Sequence, residues 1–493
     1  MGAHVGEISR GPRGTRPDHG GMTRAAAVDL VPAVTGAPVS FWHATLGPST
    51  LRQPLPGSLS ADVCIVGAGF TGLWTAYYLK RAVPALRIVV LEREFSGFGA
   101  SGRNGGFLMA NLPGLTARYA HSAGRPATLA MQRRMVETVD EVIRVAEVEG
   151  IDADIVKSGY LNVATAPAQL ERSRAMVPQI RSWGRHDVVL LSREQTLERV
   201  RIDGALGAIL TPDCARIQPA KLARGLAEVV AASGVELYEQ TPVVEIAPGR
   251  AITPLGTVEA RHVVRATEAY SVSLSGLRRS ILPLRSWMIV TEPVDDAFWA
   301  EVGWAGCETF SERAHAYMYL QRTADGRVAA GSAASPGAYR FGSRTRSDAT
   351  GAHAAARILR RQLLRLFPAL EHSRIEYAWS GVFGMPRDWC AGVGLDPVTG
   401  LAWAGGYAGH GVAATNLAGR TLRDLLLGEP TELTRLPWVG RPSRPWEPEP
   451  LRWLGVRTVE RAYRIADRHE RSNATRTSLL ARLADRISGA APL

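Results

Sequence analysis

Apolar residues along this chain follow two periods. Short unbroken runs such as DVCIV and RIVVLE (Arg87 to Glu92) suit buried parallel strands. Between them, GLWTAYYLKRAV places Leu73, Ala76, Tyr77 and Leu79 at helical spacing. Strand, helix and strand in that order predict a βαβ unit. Farther on, AMQRRMVETVDEVIRVAEVEG (Ala130 to Gly150) predicts an amphipathic helix and SGYLNVAT a strand. KLARGLAEVVAASGVELYEQTPVVEI predicts helix, strand, turn and strand. HVVRATEAYS (His262 to Ser271) predicts a strand that runs into a small-residue turn. RSWMIVTEP and HAYMYLQRTADGRVAAGSA suit an antiparallel sheet, the latter as a hairpin about Asp325 and Gly326. GAHAAARILRRQLLRLFPAL predicts an amphipathic helix. GLAWAGGYAGHGVAATNLAGRTLRDLLLGEP predicts a strand, a glycine loop and a long helix.

The βαβ-like elements at the start, middle and end are interrupted by mixed segments, with no internal repeat. The fold class expected is α/β: a discontinuous Rossmann-like nucleotide domain with an inserted α+β substrate domain on a mixed or antiparallel sheet. Nucleotide-domain segments are expected at 41–107, 206–275 and 379–432, and substrate-domain segments at 108–205 and 276–378. Residues 1–40 are expected as a disordered extension, with FWHATLGPSTLRQPLPGSL as a loop with aromatic anchors. Residues 433–493 are expected as an Arg-, Trp- and Pro-rich extension with a helix.

Composition narrows the picture. At 493 residues the chain exceeds one ordinary core. No apolar run reaches the ~18 residues of a membrane span. The first 40 residues hold no secretory h-region, and Met22 is an alternative start. The formal charge is +12, and all but three of the 58 basic residues are arginine. They are dispersed, so the basic stripe that nucleic-acid binding needs is missing. Cys64, Cys214, Cys307 and Cys390 form no CxxC pair, so each is expected as a small buried residue and no metal site is expected. A cytoplasmic location is the expectation.

The chemistry sits in ADVCIVGAGFTG, where Gly67, Gly69 and Gly72 make G-x-G-x-x-G between a strand and a helix. The first glycine permits the tight turn, the second lets a pyrophosphate approach, and the third lets helix and strand pack closely. The helix N-terminus offers free N–H groups to phosphates. Glu92 ends the second strand, where an acid can accept hydrogen bonds from a ribose. The bland alternative, a glycine turn serving packing alone, leaves Glu92 without a role. A second glycine-rich loop, GFGASGRNGG (Gly97 to Gly106), follows almost at once, with Ser101, Arg103 and Asn104 as donors. It suits a longer, extended dinucleotide such as FAD better than NAD.

With VGAGFTG and VVLE, GASGRNGG, and GGYAGHGV with NLAGRTL in view, the chain resembles the D-amino-acid oxidase superfamily of flavoproteins over about residues 40–432. GASGRNGG is most similar to the γ-glutamylputrescine oxidoreductase branch. The resemblance implies FAD in an extended pose, wrapped at its pyrophosphate by Gly67, Ala68, Gly69, Phe70, Thr71 and Gly72. Glu92 and Arg93 would hold the adenosine ribose. Ala100, Ser101, Gly102, Arg103, Asn104, Gly105 and Gly106 would lie along the ribityl chain and flavin edge. Val243 would meet the adenine, and Ala266 and Thr267 would stand near the cofactor. Gly409, His410, Gly411 and Val412 would open the last helix against the flavin's pyrimidine edge, where a helix N-terminus favours negative charge.

There are departures. Glu268 stands where Asn often follows the Thr, and MPRDWCAGVGLD (Met385 to Asp396) replaces the usual acid-and-proline pattern. Cys390 is the one cysteine near the region where some members attach FAD; buried packing is the expectation. The implied reaction removes a hydride from the carbon bearing an amine, with hydrolysis of the imine and dioxygen as acceptor. The alternative is a dehydrogenase that passes electrons to a quinone or protein. The implied partners are a small amine or amino-acid-like substrate and that acceptor.

Substrate-face candidates are His410, Tyr319 and Phe383, each with a plainer alternative. His410 could tune the reduced flavin's charge or stand as a solvated ring in a backbone-determined loop. Tyr317 and Tyr319 share a strand face and could box an amine or pack the sheet. Trp379 and Phe383 align with the stretch that approaches substrate in relatives. Phe383 falls where some use an arginine for a carboxylate, which argues against a simple α-amino acid. The Pro- and Trp-rich stretch LPWVGRPSRPWEPEPLRWLGV is expected to pack across the body, and the helical tail after it is expected as a solvated cap or an oligomer contact.

Overall fold

The computed structural model describes residues 39–47, 50–332, 337–345, 351–472 and 474–490. The expected N-terminal extension, apart from its last two residues, lies outside them.

Two eight-stranded sheets organise the chain. The first is built around Leu59–Val66, which pairs in parallel with Ile88–Leu91 on one side and Gly256–Arg265 on the other. Glu236–Tyr238 and Leu401–Gly405 extend it, also in parallel. Cys64, Ile65, Val89 and Val90 are fully buried, as unbroken apolar strands covered on both faces require. Helix Phe70–Ala82 follows the first strand and packs on helix Gly411–Leu427. Gly419 allows that packing, because a Cβ there would meet Trp74 at 2.7 Å.

The second sheet runs in the order Ile375–Met385, Leu282–Thr291, Val328–Ser332, Met318–Arg322, Thr309–Glu312, Tyr160–Ala164, Gly207–Thr211, Val189–Leu191. Its pairs are antiparallel except Thr309–Glu312 with Tyr160–Ala164, which makes it a mixed sheet. The hairpin about Asp325 and Gly326 forms, with Gly326 at φ 74. Helix Ala352–Leu366 buries Ala355, Ala356, Leu359 and Leu363 against this sheet's core. Strands Gly207–Thr211 and Ile375–Met385 carry the pairing of this sheet past the expected joints at 206 and 379.

Three local expectations change. The helix expected from Ala130 spans Thr116–Val148, broken at Gly124 (φ 82, ψ 162) just before Pro126. That break hid the first turns from the periodicity. The stretch at Phe41 is a short helix, Phe41–Ala44, capped by Ser40 rather than a loop. Cys307 is only half-buried, on a residue at φ 55, whereas the other three cysteines are buried.

The turn after the first strand is set by backbone proximity. A Cβ on Gly72 would lie 2.0 Å from the carbonyl oxygen of Gly67. No rotamer relieves a clash with backbone. Gly72→Ala should therefore lower stability by about 3 kcal/mol or more, read as a lower urea midpoint. Gly455→Ala, inside helix Leu451–Arg471 with no atom within 4 Å of the new Cβ, is the control. It should be neutral or stabilising by up to about 1 kcal/mol.

Candidate functional site

The glycine turn, the second glycine loop and the start of helix Gly411–Leu427 open into one cavity of about 1060 Å³. That exceeds the ~300–1,000 Å³ of most small-molecule sites. Helices Phe70–Ala82 and Gly411–Leu427 both present N-termini to it, and neither has a side-chain cap. Each thus offers unsatisfied N–H groups and a partial positive charge. Tyr407 ties the two ends together by a 2.9 Å hydrogen bond between its hydroxyl and that of Thr71.

Around the first turn, Gly67, Gly69, Phe70 and Thr71 line the cavity. Ala68 is buried behind it, and its N–H donates to Glu92 Oε2 at 2.9 Å. Gly72 also faces away, against Gly67. Glu92 lines the cavity and accepts a second N–H, from Glu94, at 3.0 Å. It therefore staples the turn, and burial raises its pKa. A carboxylate has about four acceptor sites, so ribose hydroxyls still find room. Arg93 lines the cavity, and its guanidinium lies 5.0 Å from the centre of the Tyr270 ring.

In the second loop Ala100, Ser101, Arg103, Asn104 and Gly105 line the cavity, but Gly102 and Gly106 do not. A Cβ on Gly102 would meet the His43 ring at 2.3 Å, and one on Gly106 the Ile217 carbonyl at 2.3 Å. Both glycines serve packing. Ser101 Oγ accepts the Phe70 N–H at 2.9 Å and so joins the two loops. Asn104 spends its side chain inside the loop, on Ala100 O, Ser101 O and Gly106 N. Arg103 binds the carbonyls of Phe98 and Ser380. Val243, Ala266, Thr267, Gly409, His410, Gly411 and Val412 complete the set in the same cavity.

Of the substrate-face candidates, Tyr319, Tyr317, Phe383 and His410 line the cavity. Tyr319 lays its ring on Gly105 and bonds Ser286 Oγ at 2.7 Å; burial pushes its phenol up to about 12, so it stays neutral. Burial lowers His410, which favours neutral imidazole. Trp379 is a correction. It is buried against Phe41 and Trp42 and donates its indole N–H to Arg103 O at 3.0 Å, so it braces the second loop from behind. Cys390 is buried and its thiol pushed up by burial.

Three features escaped the sequence reading. Ser40, Trp42 and His43 back the second loop: Ser40 Oγ donates to Gly102 O at 2.8 Å and Trp42 Nε1 to Asn104 O at 2.8 Å. Trp446 and Val456, in the stretch expected to pack across the body, line the cavity, and the helical tail is no mere solvated cap, because Val459, Tyr463 and Ile487 line it too. Their helices show apolar residues three and four apart, but nothing local says what those residues face. Glu268, finally, sits at φ 44 and accepts the N–H groups of Gly406 (3.0 Å) and Tyr407 (3.3 Å), the residues that lead into helix Gly411–Leu427.

The donor set suits FAD: two uncapped N-termini, a glycine turn and a second loop share one long cavity. A family described as FAD dependent oxidoreductase, DAO, matches residues 62–425. Gamma-glutamylputrescine oxidoreductase of Escherichia coli (strain K12) is 30% identical over 398 residues, 79% of this chain and 89% of that protein. The crystal structure of glycine oxidase from Geobacillus kaustophilus is similar with a TM-score of 0.63 at 23% identity, over 76% of this chain and 96% of that one. That of L-proline dehydrogenase from P. horikoshii gives a TM-score of 0.62 at 20% identity, over 78% and 98%.

Burial pushes Glu268 up to about 7, against the pull of the Gly384, Tyr407 and Gly406 N–H groups. The folded state thus keeps a proton that the unfolded chain loses near its ordinary value of 4.5. Stability from this group is complete below that value and is lost as pH rises towards 7. Glu268→Gln keeps the carbonyl acceptor without the titration. Its unfolding free energy should lie close to that of wild type at pH 5 and exceed it at pH 8, the gap widening by on the order of 2 kcal/mol between the two. A gap independent of pH would refute this.

Proposed function

This chain belongs to the DAO family of FAD dependent oxidoreductases, and we propose that it oxidises the C–N bond of an amine or amino-acid-like substrate, with dioxygen as the final acceptor. The observation that carries the reading is the convergence of two uncapped helix N-termini and two glycine-rich loops on one cavity.

FAD bound there would supply a hydride acceptor for the carbon beside the amine nitrogen, and water would hydrolyse the resulting imine. Gly67, Gly69, Phe70 and Thr71 would hold the pyrophosphate against the first N-terminus. Gly411 and Val412 would present backbone N–H groups to the flavin edge that gains negative charge. The left-handed φ of 90 at Gly409 turns the chain into that helix. Tyr319, fixed on Gly105 and Ser286, would orient the substrate from the second sheet. Phe383 and Met385 would keep the reacting side apolar. His410, neutral by burial, would accept a hydrogen bond without adding charge.

The purified protein should show the visible bands of oxidised flavin. Without oxygen, one member of a panel of amines and amino acids should bleach them. Return of colour on admitting air supports dioxygen; return only with an added quinone would replace it with another acceptor. A colourless protein that takes up no added FAD would overturn the proposal.

A further inference from the structure

The turn between strands Thr309–Glu312 and Met318–Arg322 carries Arg313 into the cavity wall. Among the described residues its Nη2 meets only the thioether of Met176, at 2.9 Å, and its Nε has no partner. A thioether is a weak acceptor. Among the described residues no carboxylate forms an ion pair with Arg313. Arg172 donates to the Arg313 carbonyl at 2.9 Å, but its own charge is met by Glu470 at 2.6 Å. Burial lowers the Arg313 pKa to about 10, the direction expected when no anion compensates the charge. An uncompensated charge in a protein wall is costly, so the arrangement calls for an anion from outside the chain.

The FAD phosphates do not fit that role, because their place is at the glycine turn of the first sheet. Arg313 belongs to the second sheet, and a row of rings separates it from the second glycine loop. Tyr319 lies on Gly105, Phe107 is 6.0 Å from Tyr319, and Tyr160 is 6.1 Å from Phe107. The Tyr160 hydroxyl bonds Ser311 Oγ, two residues before Arg313 on the strand that enters its turn. An occupant that reaches from the flavin to Arg313 therefore runs along two ring-to-ring steps.

The turn is held from outside by the C-terminal helix Leu451–Arg471, beyond the matched residues 62–425. Asp467, 1% exposed, accepts the N–H groups of His315 (2.9 Å) and Ala316 (2.8 Å). Tyr463 stacks on His315 at 5.5 Å, and Glu470 bonds His315 Nε2 at 3.0 Å. The His315, Asp467 and Glu470 side chains stand close together, but these bonds already occupy their oxygens. The cluster is a clamp on the turn.

We propose that Arg313 recognises a carboxylate carried by the amine substrate several bonds from the reacting C–N bond, and that Asp467 and Glu470 are positioning residues that hold it in the cavity. The amine end of this inference rests on the function proposed above.

Calorimetric titration of the purified, flavin-loaded protein tests it with matched probes: 4-aminobutyrate and 6-aminohexanoate against butylamine and hexylamine. Wild type should bind an amino carboxylate about tenfold or more tightly than its matched amine, the range of one charge-assisted hydrogen bond. Arg313→Met should erase that preference and leave amine affinity unchanged, and Arg313→Lys should keep part of it. Asp467→Asn should weaken carboxylate binding several-fold, in the direction of Arg313→Met, with flavin absorbance unchanged. A wild type without the preference, or an Arg313→Met that retains it, overturns the inference. Anaerobic bleaching of the flavin by the same probes, read separately by absorbance, reports on the proposed reaction. Loss of one result with the other intact shows which of the two has failed.

Discussion

The contact between the backbones of Gly67 and Gly72 is the constraint on which the rest of the cavity depends. Helix Phe70–Ala82 can start this close to the first strand only because no Cβ intervenes. That closeness aims the helix N-terminus into the cavity, with a glycine at the N-cap that supplies no side-chain cap of its own. The neighbouring pieces are then placed from it. Ser101 reaches Phe70 N and fixes the second loop, Thr71 meets Tyr407 and fixes the start of the last helix, and Glu92 closes the turn through Ala68. Three segments, one of them 336 residues away, are thus registered against one tight turn.

The second loop is the keystone between the two sheets. Trp42 holds Asn104 O from the N-terminal side, and Trp379 holds Arg103 O from the second sheet. Arg103 returns a bond to Ser380 O, and Gln321 reaches Gly105 O. The carbonyls of Gly102, Arg103, Asn104, Gly105 and Gly106 each take a donor from another element, and those of Phe98, Gly99, Ala100 and Ser101 take theirs from within the loop. The buried aromatic cluster of Phe41, Trp42 and Trp379 makes these bonds hard for water to replace.

What could be read from the sequence follows from range. The βαβ start, the hairpin at Gly326 and the last helix are local patterns, and period and turn chemistry describe them directly. The glycine loops were legible because their residue types answer a backbone demand that is also local. Gly102 and Gly106 look like Gly105 in sequence, and only the arrival of His43, Ile217 and Gln321 turns them into packing residues. Trp379 and Phe383 lie four apart on one strand, yet the first braces a loop and the second lines the cavity. Arg313 was hidden among many dispersed arginines, since nothing in sequence shows which guanidinium lacks an acid. The role of the tail depends on contacts across more than 100 residues, beyond any window of periodicity.

The C-terminal helices are also fastened to both halves of the molecule. Asp467 and Glu470 hold the turn of the second sheet, and the Ala474 carbonyl takes the Ala168 N–H there too. At the other end the Ser488 carbonyl accepts from Arg387 and Trp389, and the Gly489 carbonyl from Arg118, whose neighbour Tyr119 is part of the first core. Mechanically this is a strut. Any hinge motion that widened the cavity would have to stretch it or tear bonds at one end. The span from Asp467 to Gly489 thus resists a widening of the gap between the two sheets.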